Sequence, residues 1–134
     1  MITRDVLILA KTIYGEARGE ILLGQYAVAH VVLNRKNDHR WHNMSLAGIC
    51  LQRAQFSCWL PSDPSCAILQ NLHAESPRLA PMIIIAQAVI AGTHDDPTHG
   101  ATHYHAVSID APRWARGKTP CARIGHHLFY RDIA

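Results

Sequence analysis

One stretch constrains this chain more than any other: Ile13-Tyr14-Gly15-Glu16-Ala17-Arg18-Gly19-Glu20. It closes an apolar segment, Val6 to Ile13, whose Val6, Leu7, Leu9, Ala10 and Ile13 recur at helical spacing. Thr3 suits the N-cap of that helix, and Asp5 suits its first turn. Gly15 and Gly19 weaken helix continuity, which puts the helix end between Tyr14 and Gly19, with Glu16 at or near it. A helix that stays apolar to its last turns and then presents glutamates places a carboxylic acid at the edge of a core. Burial and the negative end of the helix dipole both oppose ionisation there, which suits a general acid working near neutral pH.

Two further helices follow from pattern. Gly24 to Arg35 carries Ala27, Val28, Val31 and Val32 on one face, with Ala27 and Ala29 small enough for a close neighbour. Leu79 to Gly92 is apolar on most sides, with Pro81 in its first turn and Gly92 at its end, and is expected to be the central buried helix. Ser45 to Leu51 suits a short helix capped by Ser45, whereas Lys36 to Asn43 and Leu60 to Ser65 read as loops. Thr102 to Val107 alternates as a strand does, and Ile124 to Arg131 is a second strand candidate. Phe56, Ser57 and Trp59 suit the wall of a cleft, and the segment from Pro112 to Gly117, with Trp114, suits its lip. No repeat or linker divides the chain, so one domain over residues 1–134 is expected.

Composition narrows the classes. Apolar residues make up 49% and charged residues 17% of 134, a globular balance. The net charge of +3 fits an anionic polymer as partner, but no dense Lys/Arg run marks a nucleic-acid binder. The apolar runs, such as that from Met82 to Ile85, fall far short of the roughly 18 residues of a membrane span. The N-terminus carries Asp5 where a secretion signal has a basic region, so no signal peptide is read there. Cys50, Cys58, Cys66 and Cys121 fit no zinc-knuckle spacing; free buried thiols and disulfides both remain open.

Two constellations carry chemistry. Glu16 and Glu20 suit sugar-bond cleavage, which needs a carboxylic acid to protonate the departing oxygen. On a continuous helix their Cβ atoms would lie about 5–6 Å apart, close enough for an acid and nucleophile pair. A single acid suffices where the substrate supplies its own nucleophile, and Arg18 would then pair with Glu20. The second constellation is His103-x-His105, whose rings share one face of a strand. They serve either as hydrogen-bond donors to sugars or, with partners from His126, His127, Asp95, Asp96, His99 or Asp110, as zinc ligands. No Gly-rich phosphate loop, GxSxG elbow or nucleotide fingerprint is present.

The order of motifs resembles the spore-cortex-lytic type of cell-wall hydrolases, the SleB/CwlJ family. The resemblance rests on the stretch from Ile13 to Glu20, then Gly24-Gln25, Ala27-Val28-Ala29 and Val32-Leu33-Asn34-Arg35. It continues through Gln55-Phe56-Ser57, Gly100-Ala101-Thr102-His103-Tyr104-His105 and Ile124-Gly125-His126-His127-Leu128-Phe129-Tyr130. It implies an α+β, mostly α, lysozyme-like (lytic transglycosylase-like) helical domain with a small β element. It implies Glu16 as catalytic acid, cutting between N-acetylmuramic acid and N-acetylglucosamine by lytic transglycosylation. Tyr14, Arg18, Glu20, Phe56, Ser57, Trp59, His103, Tyr104, His105, Trp114 and His126 would then orient Glu16 or contact sugar. The expected partner is the peptidoglycan glycan strand, with no cofactor, no nucleic acid, no stable membrane insertion, and a monomeric protein. The alternatives are a hydrolytic muramidase or glucosaminidase using Glu16 and Glu20, a zinc amidase or peptidase on His103 and His105, and a non-catalytic wall-binding module. Thr102-His103-Tyr104-His105 stands where the spore enzymes carry a Tyr-Tyr-x-Asn type segment, which resembles the proteobacterial and phage branch. An endolysin-like protein is expected on that reading: made in the cytoplasm and brought to the wall by holin-type release or by a phage or phage-like particle.

Overall fold

The structure, a computed structural model, describes residues 1–134. Five α-helices are followed by a three-stranded antiparallel sheet: α1 (Arg4–Ala17), α2 (Leu22–Lys36), α3 (Leu46–Leu51), α4 (Pro64–Gln70), α5 (Ala80–Ala91), then β1 (His103–Ala106), β2 (Ala122–Ile124) and β3 (His127–Tyr130). The mostly helical class with a small β element, expected from the resemblance, is what the chain forms. No helix is long and apolar enough to cross a membrane.

Thr3 caps α1, its side chain accepting from the Val6 N–H at 3.2 Å. Asp5 accepts from the Ala47 N–H at 2.9 Å, so the start of α1 also holds the start of α3, itself capped by Ser45. Val6, Leu9, Ala10 and Ile13 of α1 sit in the main core with Ala29 and Val32 of α2, Ile49 and Cys50 of α3, and Met82, Ile83, Ile85, Ala86 and Val89 of α5. Helix α2 has a second buried face: Ala27 and Val31 pack on Ala101, Ile124 and Phe129 beneath the sheet. It therefore divides the helical core from the sheet, which is why nine of its fifteen residues are buried.

Three expectations need correction. The helix expected to be central, α5, lies on the flank: it buries one stripe on α1 and α2, and Ile84 stays 63% exposed. Its even apolar composition did not mark which side faces the core. The segment from Ile124 to Arg131 is not one strand. Ile124 ends β2, Gly125 and His126 form a two-residue hairpin loop, and β3 begins at His127. The segment after Leu60 is not all loop either, because Asp63 caps α4 and Pro64 opens it.

The sheet order is β1-β3-β2, with Tyr104 opposite Phe129 and His105 opposite Leu128. The pleat puts Tyr104, His127 and Phe129 on the face toward α2 and the end of α1, and His103, His105 and Tyr130 on the other, against Trp114. All four cysteines are free, with Cys50, Cys58 and Cys66 buried.

Candidate active site

A cleft of about 770 Å³ runs between the last turn of α1, the segment from Ala54 to Ser57 and the sheet. Glu16 stands in its wall, half-buried, and is the one Asp or Glu side chain lining it. Both carboxylate oxygens are held. Tyr104 donates its hydroxyl to Oε1, and the Cys58 N–H donates to Oε2 at 3.1 Å. The Ser57 hydroxyl stands further off, at 3.5 Å from Oε2. Tyr104 is a permanent donor here: burial, then the Glu16 charge, holds its phenol well above the usual range.

Gly15 makes this geometry available. A Cβ on it would fall 2.5 Å from the Cys58 Cβ and 2.8 Å from its Sγ. Only a glycine lets the short 3₁₀ turn Ser57–Trp59 approach α1 closely enough for its N–H to reach Glu16. The same approach buries Cys58 and pushes its thiol far above the ordinary cysteine range, by desolvation first and the Glu16 charge second. Cys58 is thus an inert packing residue.

Of the side chains singled out from sequence, Glu16, Phe56, Ser57, His103, Tyr104, His105 and Trp114 come together in the cleft. Glu20, Tyr14, Arg18, Trp59 and His126 do not line it. Glu20 lies beyond the end of α1 and turns to the hairpin, where its Oε1 accepts from the His126 N–H at 2.8 Å and its Oε2 meets the His126 ring at 2.8 Å. The helical pair of carboxylates is therefore not formed. Arg18 does not pair with Glu20 either: it donates to the Tyr14 and Gly15 carbonyls and to Ser65 Oγ, closing α1 and holding α4. Its guanidinium lies over the Tyr14 ring, 5.2 Å from the centroid. Trp59 points into the core and donates its indole N–H to Thr12 Oγ1 at 3.0 Å.

The histidines are not arranged for a metal. No group of three or more His, Cys, Asp or Glu side chains is placed to hold one. Both ring nitrogens of His105 have partners, the Tyr130 hydroxyl and the Ala106 carbonyl, each at 2.9 Å. His103 meets Thr102 Oγ1 at 2.9 Å, and burial, followed by Arg35 and Arg40, brings its pKa down to about 4. Asp96 is occupied by Asn34, Thr98 and Gly100. The zinc amidase reading thus lacks a ligand set.

Three polar residues also line the cleft that the sequence did not assign to it: Arg35, Gln55, and His127, which had stood only among the possible zinc ligands. Arg35 had read as a polar helix end. Its position three, four and seven residues after Val32, Val31 and Val28 places it on the buried face, which was the signal available. His127 is 9% exposed, and its Nδ1, 3.8 Å from Glu20 Oε1, is the only buried side-chain polar atom without a hydrogen bond.

This geometry is a carboxylic acid fixed in an open groove that aromatic and imidazole side chains also line. Residues 19–130 match the family model described as Cell Wall Hydrolase. The chain belongs to the cell wall hydrolase family. The spore cortex-lytic enzyme of Bacillus subtilis strain 168 is 30% identical over 125 residues, 93% of this chain and 37% of that protein. That of Halalkalibacterium halodurans is 29% identical, over 93% of this chain and 34% of that protein. The chain thus spans about a third of the length of these curated relatives. Among solved structures, the catalytic domain of the Bacillus cereus SleB protein superposes with a TM-score of 0.74 at 27% identity, covering 96% of this chain and 90% of that one. The catalytic domain of the germination-specific lytic transglycosylase SleB from Bacillus anthracis gives 0.75 at 27% identity, covering 96% and 95%.

Proposed function

We propose that this domain cleaves the glycan strands of peptidoglycan as a lytic transglycosylase, with Glu16 as acid and then base. The observation that carries the reading is that Glu16 is the one Asp or Glu side chain lining the cleft. Family membership and the likeness to a SleB catalytic domain described as a lytic transglycosylase support it.

A hydrolase with a nucleophile pair needs a second carboxylate about 5–5.5 Å away, and an inverting one needs it about 6.5–9.5 Å away across a water. Glu20 is turned from the cleft and fully engaged with His126, so neither arrangement is available to it. Transglycosylation needs only one acid. Protonated Glu16 gives its proton to the oxygen bridging muramic acid C1 and the next glucosamine, and the C1–O bond breaks. The resulting Glu16 carboxylate takes the proton of the muramic 6-hydroxyl, whose oxygen bonds to C1 and closes a 1,6-anhydro ring. No water is consumed and Glu16 ends protonated again. Tyr104 and the Cys58 N–H hold the carboxylate in one orientation through both steps. His103, His105 and Trp114 also line the cleft, where the flat rings and the remaining ring nitrogen of His103 can meet sugar faces and acetamides.

Mass spectrometry of soluble fragments from purified peptidoglycan tests the proposal. Anhydro-muramyl products are expected, lighter than hydrolytic ones by one water, and absent with Glu16→Gln. Water-added products would replace the transglycosylase by a hydrolase. Free stem peptides would mean that glycan cleavage is the wrong reaction.

A further inference from the structure

Arg35 is a buried cation with no anion. It is 4% exposed, yet none of its hydrogen bonds or ion pairs involves a carboxylate. Its Nε donates to the Thr102 carbonyl at 2.7 Å and its Nη1 to Gln55 Oε1 at 3.0 Å. Both are neutral acceptors. The guanidinium is clamped between Trp41 and Phe56, at 5.1 and 5.2 Å from their ring centroids. That clamp fixes the plane of the group and leaves one edge over. Nη2 has no protein partner and is not sealed from solvent, since His127 Nδ1 is the only polar side-chain atom both sealed and without a hydrogen bond, and Arg35 is one of the residues that line the cleft.

Withdrawing a charge from water without a counter-ion is costly, and a guanidinium held rigid by packing keeps its fork ready for a carboxylate. The positive field is felt locally: Arg35 and Arg40 add to burial in keeping His103 neutral. Arg40 itself is already committed to Asp38 and to the Ile133 carbonyl, so it leaves Arg35 as the uncommitted cation of this wall. Glu16 forms no ion pair with it; the Glu16 oxygens accept from Tyr104 and the Cys58 N–H instead.

We infer that Arg35 is a specificity residue: its Nη2 edge binds a carboxylate carried by the glycan strand where the strand lies in the cleft that Arg35 and Glu16 both line. This rests on the glycan-cleaving reading above. Two sources offer that carboxylate, the lactyl group of muramic acid in strands stripped of peptide, and the stem peptide in strands that keep it.

Binding, measured by calorimetry with the Glu16→Gln protein so that nothing is cut, separates the possibilities. Four ligands are compared: soluble stripped strands and peptide-bearing strands, each native and after its carboxylates have been converted to amides. Neutralisation is expected to weaken binding about tenfold or more, the scale of one charge-assisted hydrogen bond. Adding Arg35→Gln is expected to erase that difference, and Arg35→Lys to restore part of it. Loss confined to stripped strands assigns the lactyl carboxylate, and loss confined to peptide-bearing strands assigns the stem. Equal binding of native and amidated strands overturns the inference and leaves glycan recognition intact. That comparison needs no Arg35 variant, so a folding failure of Arg35→Gln does not blunt it. Absence of binding to any strand would overturn the glycan reading together with this one.

Discussion

Glu20 and His126 bind one another across 106 positions of sequence: Glu20 Oε1 accepts from the His126 N–H at 2.8 Å, and Oε2 meets the ring Nδ1 at 2.8 Å. The contact latches the β2–β3 hairpin onto the corner between α1 and α2. Gly125 allows it, since a Cβ there would fall 2.5 Å from Glu20 Oε1 and the residue has a φ of +56°. The Glu20 side chain is only 10% exposed. Burial alone would raise its pKa; the His126 N–H, the His126 ring and the charges of His127 and His126 outweigh burial and leave it below the usual glutamate value.

Glu20→Gln is therefore expected to act on stability and not on chemistry. One or two charge-assisted hydrogen bonds are weakened, which costs about 1–3 kcal/mol. At about 3–6 °C per kcal/mol for a chain of this size, melting curves will resolve it. A depressed carboxylate pKa stabilises the fold above its unfolded value of 4.5 and loses that contribution as pH falls through the folded value. The difference in Tm between wild type and variant should shrink below about pH 4.5. Cleavage of sacculi at 25 °C should persist. Its abolition with an unchanged Tm would return Glu20 to the role of second catalytic carboxylate.

Gly15→Ala tests the close approach of the Ser57–Trp59 turn. Alanine normally favours a helix over glycine by about 1 kcal/mol. Here its methyl would meet Leu69 Cδ1 at 3.0 Å and the Cys58 Cβ at 2.5 Å, the latter bonded directly to the backbone and unable to swing aside. Overpacking of this kind costs about 1–3 kcal/mol. The turn must shift, and the Cys58 N–H leaves Glu16 Oε2. A loss of activity on the order of 100-fold is expected at a temperature where circular dichroism still shows native helix. Full activity would mean that this N–H does not position the acid.

The helical half of this geometry was legible and the rest was not, for identifiable reasons. Thr3 and Ser45 are caps whose side chains bond locally, so sequence alone located α1 and α3. Glu16 could be placed because helix period and glycine both act within one turn. Helix α4 has an equally local signal in Asp63-Pro64, but two prolines in six residues read as loop. The side of α5 that faces the core could not be read, because its apolar residues run all around it. Gly15 misled in the opposite direction: it reads as a helix breaker, yet it lies inside α1 and exists for contact with Cys58, 43 residues on. Tyr104 meeting Glu16 and the free edge of Arg35 depend on how the sheet docks against α2, which no periodicity encodes.

Tyr104→Phe removes one hydroxyl and leaves the ring against Phe56, His127 and Phe129. Glu16 Oε1 then has no protein donor, and the carboxylate is held from one side only. Because the ring stays packed, the Tm should change little. The expected effect is a fall in kcat of about 10- to 100-fold with KM nearly constant, the mark of an acid out of line and not of lost sugar contact. A rise in KM at constant kcat would show instead that the hydroxyl serves substrate binding.

Stability toward acid should fail in two stages, and histidines set the first. Burial holds His103 at about 4 instead of 6.5, aided by Arg35 and Arg40, and burial also lowers His30 and His127. The sign follows from which state takes the protons. Between about pH 6.5 and 4 the unfolded chain protonates these rings while the folded protein resists, so the unfolded state binds more protons and stability falls as pH drops. Above 6.5 the contribution is complete. Asp38, Asp96 and Glu20, all depressed, extend the loss below pH 4. Thermal melts in dilute salt should thus show Tm declining from about pH 6.5, before any ordinary carboxylate titrates. His103→Gln, which keeps a polar group beside Thr102 but cannot take the proton, should flatten the slope between pH 6.5 and 4. His39→Gln, at a ring 89% exposed, should not. If the slope survives His103→Gln unchanged, the cleft does not hold this imidazole neutral, and the positive field assigned to Arg35 loses one of its supports.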